Sequence, residues 1–104
     1  TAYNLSAGGP IIASKADVMV ITPICPHSLS PRSVVVSADD TIKVVIKESK
    51  KTQLDEAIAT FDGQNVIELS TNDKIIITKA EYNTKLIRLN HTSMFEVLRS
   101  KLNK

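Results

Sequence analysis

The pair Asp62-Gly63 stands between two strand-like runs, residues 53–61 and 64–69, and constrains this chain more than any other feature. Both central positions of a tight hairpin turn want φ > 0, and Asp-Gly meets that demand. The same grammar recurs along the chain. Residues 17–21 (DVMVI) form a short apolar run of the buried-strand type, ended by Thr22-Pro23. Residues 32–37 hold the β-branched run Val34-Val35-Val36. Residues 41–48 (TIKVVIKE) alternate, with Ile42, Val44 and Ile46 on one face and Lys43, Val45 and Lys47 on the other. Asp39-Asp40 and Asn72-Asp73 supply turn chemistry, and residues 74–79 and 85–90 read as two further strands. Turns spaced near ten residues apart predict a mainly β domain, an antiparallel β-sandwich.

The two ends read differently. Ser93 and Glu96 fit a capping box that opens an amphipathic helix over 93–102, with Met94, Leu98 and Leu102 on one face. Residues 4–7 can form one helical turn closed by Gly8. Cys25 to Pro31 contains Pro26 and Pro31, which predicts a loop.

Composition narrows the class of partner. With 104 residues the chain is one domain at most. Its 13 Lys and Arg against 11 Asp and Glu are scattered, and aromatics make up 4%. A nucleic-acid surface needs a denser basic stripe with stacking rings, so none is expected. No apolar run approaches a membrane span of about 20 residues. The single cysteine, Cys25, forms no internal disulfide framework, and a cytoplasmic setting is expected.

Taken singly, the chemistry-bearing residues are weak signals. Cys25 and His27 lie two apart in the Pro-rich loop, and a small Cys beside a loop His explains them better than a nucleophile–base pair. Cys25, His27 and His91 lack the spacing of a zinc site. Gly8-Gly9 fits no phosphate-cradling pattern and reads as a turn. Thr1-Ala2-Tyr3 is a loop where a flat ring can approach the backbone at Ala2 and stack on Tyr3, but on residue chemistry alone an exposed Tyr beside a terminus is the better explanation.

Two longer motifs shift that balance. Thr1-Ala2-Tyr3-Asn4-Leu5-Ser6-Ala7-Gly8-Gly9-Pro10-Ile11 closely resembles a loop of the NAD kinase family, in which Gly-Ser or Gly-Thr precedes the Thr. Ile21-Thr22-Pro23-Ile24-Cys25-Pro26-His27-Ser28-Leu29-Ser30-Pro31-Arg32-Ser33 resembles that family's next block, and Asp62-Gly63-Gln64 a third element. Two departures are visible: Ser33 replaces the frequent Pro after Arg, and Ala13-Ser14-Lys15 lacks a common His-Pro.

The resemblance implies a chain corresponding to the C-terminal β-sandwich domain over 1–104, cut just after the Gly-Ser, with the N-terminal α/β domain absent. In the family that other domain carries a Gly-Gly-Asp-Gly motif with the general base and metal contacts, and an Asn-Glu or Asn-Asp pair for the substrate. NAD lies between the two domains. The implied reaction transfers phosphate from ATP, with Mg²⁺ or another divalent metal, to the adenosine-ribose 2′-hydroxyl of NAD, giving NADP. Carried onto this sequence, Thr1, Ala2, Tyr3, Ser6, Cys25 and Gln64 are expected at the NAD site, with Tyr3 packing on a ring of the dinucleotide. His27 and Arg32 are expected to hold the loop or a subunit interface. No catalytic residue and no metal ligand are expected here, so the fragment alone should be inactive. The expected partners are NAD or NADP, the N-terminal domain, and copies of the chain in a homodimer or homotetramer. The alternatives are a lipid-kinase relative, which generally lacks these blocks, and a non-enzymatic sandwich module for subunit assembly.

Overall fold

The computed structural model describes residues 2–26, 32–47, 57–87, 89 and 93–102. Within them run α1 (Ala2–Ser6), β1 (Val18–Ile21), β2 (Val34–Ser37), β3 (Ile42–Val45), β4 (Ala57–Phe61), β5 (Asn65–Leu69), β6 (Lys74–Ile77) and α2 (Met94–Leu102). The fold is mainly β, its strands pair antiparallel, and a short helix lies near the C-terminus, as the residue pattern predicts. The chain divides into two compact units, Thr1–Asp39 with Ala80–Lys104, and Asp40–Lys79.

In the first unit β1 and β2 pair from Val18↔Ser37 to Ile21↔Val34, and the Ala38 amide extends the ladder by donating to the Asp17 carbonyl at 3.0 Å. Ala38, 6% exposed, is the one buried residue among those described. Helix α2 opens on the capping box that its sequence predicts. The Glu96 amide donates to Ser93 Oγ at 3.2 Å, and the Ser93 amide donates back to Glu96 Oε2 at 3.4 Å. Two of the amides that a helix start leaves unpaired are thereby satisfied. Ser93→Ala is expected to destabilise α2 by about 1 kcal/mol, seen as faster hydrogen exchange at the Glu96 amide. Unchanged exchange there would show that the cap contributes nothing.

In the second unit β3 pairs with β6 and encloses the β4–β5 hairpin between them in sequence. Asp62 and Gly63 have φ of 52° and 69°, and the Gln64 amide donates to the Phe61 carbonyl at 3.0 Å. Both residues take the φ > 0 that the Asp-Gly pair predicts, but Phe61 pairs with Asn65, so Gln64, expected to open the strand, belongs to the turn. At the other turn Asn72 takes φ 74°, and Asp73 closes it twice: its amide donates to the Ser70 carbonyl at 3.0 Å, and its Oδ2 accepts from the Ser70 amide at 2.8 Å. The expected strand alternation survives only in part, because Val44, expected on the same face as Ile42 and Ile46, is exposed. Ile42 and Ile46 are half-buried, while Lys43 and Lys47 are exposed.

One expected strand does not form. Residues 85–87 and 89, the described part of 85–90, lie in no strand, and Leu86, Ile87 and Leu89 are 86%, 89% and 95% exposed. Strand propensity reflects packing against neighbours, and these residues have no cross-strand partner among the described residues. The expected strand residues 48 and 53–56 lie outside the described residues.

Candidate functional site

The first motif folds as α1 and the turn that stops it. Gly8, at φ 87°, is the left-handed residue that ends the helix. Its amide donates to the Leu5 carbonyl at 3.1 Å, and the Gly9 amide reaches back to the Asn4 carbonyl at 2.8 Å. These two bonds are a Schellman cap, which satisfies carbonyls that the helix end would otherwise leave open. A helix of five residues has little stability of its own, so this cap and side-chain ties must hold it.

The ties come from Asn4. Its Nδ2 donates to the Pro10 carbonyl at 2.9 Å, bridging the turn. Its Oδ1 accepts from Thr22 Oγ1 at 2.5 Å. Thr22 Oγ1 in turn accepts from Ser33 Oγ at 3.2 Å. The donor and acceptor roles fix the amide's orientation, because a carbonyl oxygen such as Pro10's only accepts. Thr22 follows β1 directly and Ser33 precedes β2, so the chain of bonds anchors the α1 loop to both strands at one end of the ladder, beside the Ile21↔Val34 pair. Gly9 lies directly beneath this amide. A Cβ added there would stand 1.8 Å from Asn4 Oδ1, an impossible approach.

The anchoring sorts α1 into two sides. Asn4 and Leu5 are half-buried, whereas Ala2, Tyr3 and Ser6 are exposed. Residues three and four apart share a helix face, so Ala2, Tyr3 and Ser6 lie together on the open side. The Tyr3 ring is 75% exposed, a large flat apolar surface with a hydroxyl at its tip. On the Asn4 side a half-open cleft of about 450 Å³ is lined by Ile12, Ala13, Ser14, Val18, Val20 and Met94 besides Asn4 itself. It is mostly apolar, and Tyr3 and Ser6 are not part of it.

The remaining expected site residues are placed as follows. Thr1 and His27 lie outside the described residues. Cys25 is exposed in the loop after β1, within the same unit as α1, at φ 49°. Gln64 is exposed at the β4–β5 turn in the other unit. Among the described residues no group of three or more His, Cys, Asp or Glu is placed to hold a metal ion, so they do not fit a metal centre. No helix among them is long and apolar enough to cross a membrane. Reading the sequence residue by residue missed Asn4, Thr22 and Ser33 as a unit. They are separated by 18 and 11 positions, and no periodicity connects them. The one available signal was that Asn4 and Thr22 fall inside the two long motifs.

The first motif thus presents small and hydroxylated residues and an open aromatic ring on a short helix tied to a β ladder. Residues 1–89 match the ATP-NAD kinase C-terminal domain, and the chain belongs to that family. It is 56% identical over 101 residues to an NAD kinase of Lachnoclostridium phytofermentans, covering 97% of this chain and 35% of that protein. An NAD kinase of Lachnospira eligens is 41% identical over 111 residues, covering 98% of this chain and 38% of its own length. One of Acetivibrio thermocellus is 46% identical over 102 residues, covering 98% and 34%. The chain therefore spans about a third of the length of the curated relatives it matches.

Proposed function

We propose that this chain is the β-sandwich, NAD-binding half of an NAD kinase. The full-length enzyme would transfer the terminal phosphate of ATP to the adenosine-ribose 2′-hydroxyl of NAD and release NADP. The observation that carries this reading is the exposed face of Ala2, Tyr3 and Ser6, held by the Asn4 tie in a chain of this family. Phosphoryl transfer asks a protein mainly for positioning and charge neutralisation. This half supplies positioning. The small Ala2 lets a ring approach the backbone, Tyr3 offers a stacking surface, and the Thr1 and Ser6 hydroxyls suit sugar or amide groups. The family resemblance adds Cys25 and Gln64 to the residues assigned to NAD. A divalent metal, when bound, neutralises phosphate charge. Its ligands and the general base are assigned to an N-terminal α/β domain, as the family resemblance implies.

Assembly follows from the same chain. Ile58, Val66 and Ile76 are 62%, 59% and 65% exposed, and Phe95 and Leu102 on α2 are 62% and 65% exposed. Apolar surface of this kind favours contact with further protein. We assign it to the N-terminal domain and to copies of the chain in a homodimer or homotetramer of a cytoplasmic enzyme. Family membership ranks this reading above the lipid-kinase alternative.

The test is NADP formation by the full-length protein from NAD, ATP and Mg²⁺, read with an NADP-specific dehydrogenase. Steady NADP production is expected. A folded full-length protein that makes none would overturn the kinase reading and leave the assembly module in its place.

A further inference from the structure

We propose that Asn4, Thr22 and Ser33 are positioning residues that set the attitude of the α1 face toward the nucleotide, so that the second motif acts on the substrate through the first. The inference rests on the kinase reading above and adds a role for side chains that do not lie on the exposed face. The geometry is specific. Asn4 uses its donor on Pro10 and its acceptor on Thr22, so both ends of its planar amide are fixed. The Thr22 hydroxyl is engaged on both sides, donating to Asn4 and accepting from Ser33. Asn4 is next to Tyr3 in a helix of five residues, so any rotation of the Asn4 side of the helix also turns the Tyr3 side. Gly9 has no room for a side chain against the Asn4 amide, an independent sign that the amide's position is built into the loop. Ser33 supplies the third link of the arrangement. It stands where the family frequently has Pro, and Pro has no hydroxyl to donate to Thr22.

A positioning role predicts a selective kinetic defect. In the full-length enzyme Thr22→Val keeps the side chain's shape and removes its hydroxyl. It is expected to raise KM for NAD about fivefold and leave KM for ATP within about twofold, the scale set by loss of a hydrogen bond. Thr22→Ser keeps the hydroxyl and should bring KM for NAD most of the way back. In a Tyr3→Ala background Thr22→Val should raise KM for NAD little further, because the ring it positions has gone. Ser33→Ala removes only the third link and is the milder variant to use if Thr22→Val does not fold; about a twofold rise in KM for NAD is expected. A lower melting temperature with both KM values unchanged, or a Thr22→Val penalty that persists undiminished in the Tyr3→Ala background, would overturn the proposal while leaving the kinase intact. Absence of NADP formation in the wild-type enzyme would instead overturn the reading on which it rests.

Discussion

Tyr3→Ala in the full-length enzyme is expected to raise KM for NAD about tenfold, the scale of one lost base–aromatic stack, while the melting temperature stays within about a degree or two. The two halves of that expectation have separate grounds. The ring is 75% exposed, so its removal leaves no cavity and strands no hydrogen-bonded neighbour. Exposed substitutions of this kind usually change stability by less than about 0.5 kcal/mol. A ring that contributes little to folding and much to substrate binding separates the two measurements. Isothermal titration of NAD against the wild-type and variant proteins, alongside their melting curves, would show the split. Unchanged NAD affinity would remove Tyr3 from the site, and a large loss of stability would show that its ring is covered in the assembled enzyme.

Gly9→Ala is expected to be the most damaging small substitution in the α1 loop. The added methyl would stand 1.8 Å from Asn4 Oδ1 and 2.5 Å from Cγ, so the whole amide must swing out. Both of its hydrogen bonds, to Pro10 and from Thr22, are then lost. The Asn4–Pro10 bond is exposed and its groups can turn to water, but the Asn4–Thr22 bond is partly buried and leaving its groups without partners costs about 1–3 kcal/mol, so a drop of a few degrees in melting temperature and a raised KM for NAD should appear together. The decisive measurement is the double mutant. All three atoms nearest the added methyl belong to the Asn4 amide, so in an Asn4→Ala background Gly9→Ala should cost little more. Gly8 serves as the internal contrast. It needs its left-handed φ of 87°, and a methyl there meets nothing within 4 Å. Gly8→Ala should therefore cost about 1–2 kcal/mol of backbone strain, whatever stands at position 4. Equal, additive penalties for Gly9→Ala in both backgrounds would show that the amide is not what excludes the side chain.

Local features were legible where a short span of residues decides the outcome. Asp62-Gly63 announced a hairpin because two adjacent residues carry the turn's whole φ requirement. Ser93 and Glu96 announced a helix start because their reciprocal bonds span three positions. Residues 85–90 misled for the converse reason. Their apolar residues Leu86, Ile87 and Leu89 describe one segment, and a strand exists only where another segment offers a ladder. Tyr3 and Ser6 were reached through the resemblance of a long motif, since an exposed Tyr beside Ala has no chemical signature of its own.

What the sequence by itself determined is therefore the inventory: antiparallel β runs, a capped C-terminal helix, a glycine-stopped turn and a family motif. The tertiary structure alone decided which residues meet. It joined Asn4 to Thr22 and Thr22 to Ser33 across 18 and 11 positions, and turned Ala2, Tyr3 and Ser6 outward together. The physical reason is that hydrogen bonds between distant side chains depend on where the backbone brings them. No periodicity in the chain encodes that juxtaposition until the β1–β2 ladder closes and sets Thr22 beside Ser33.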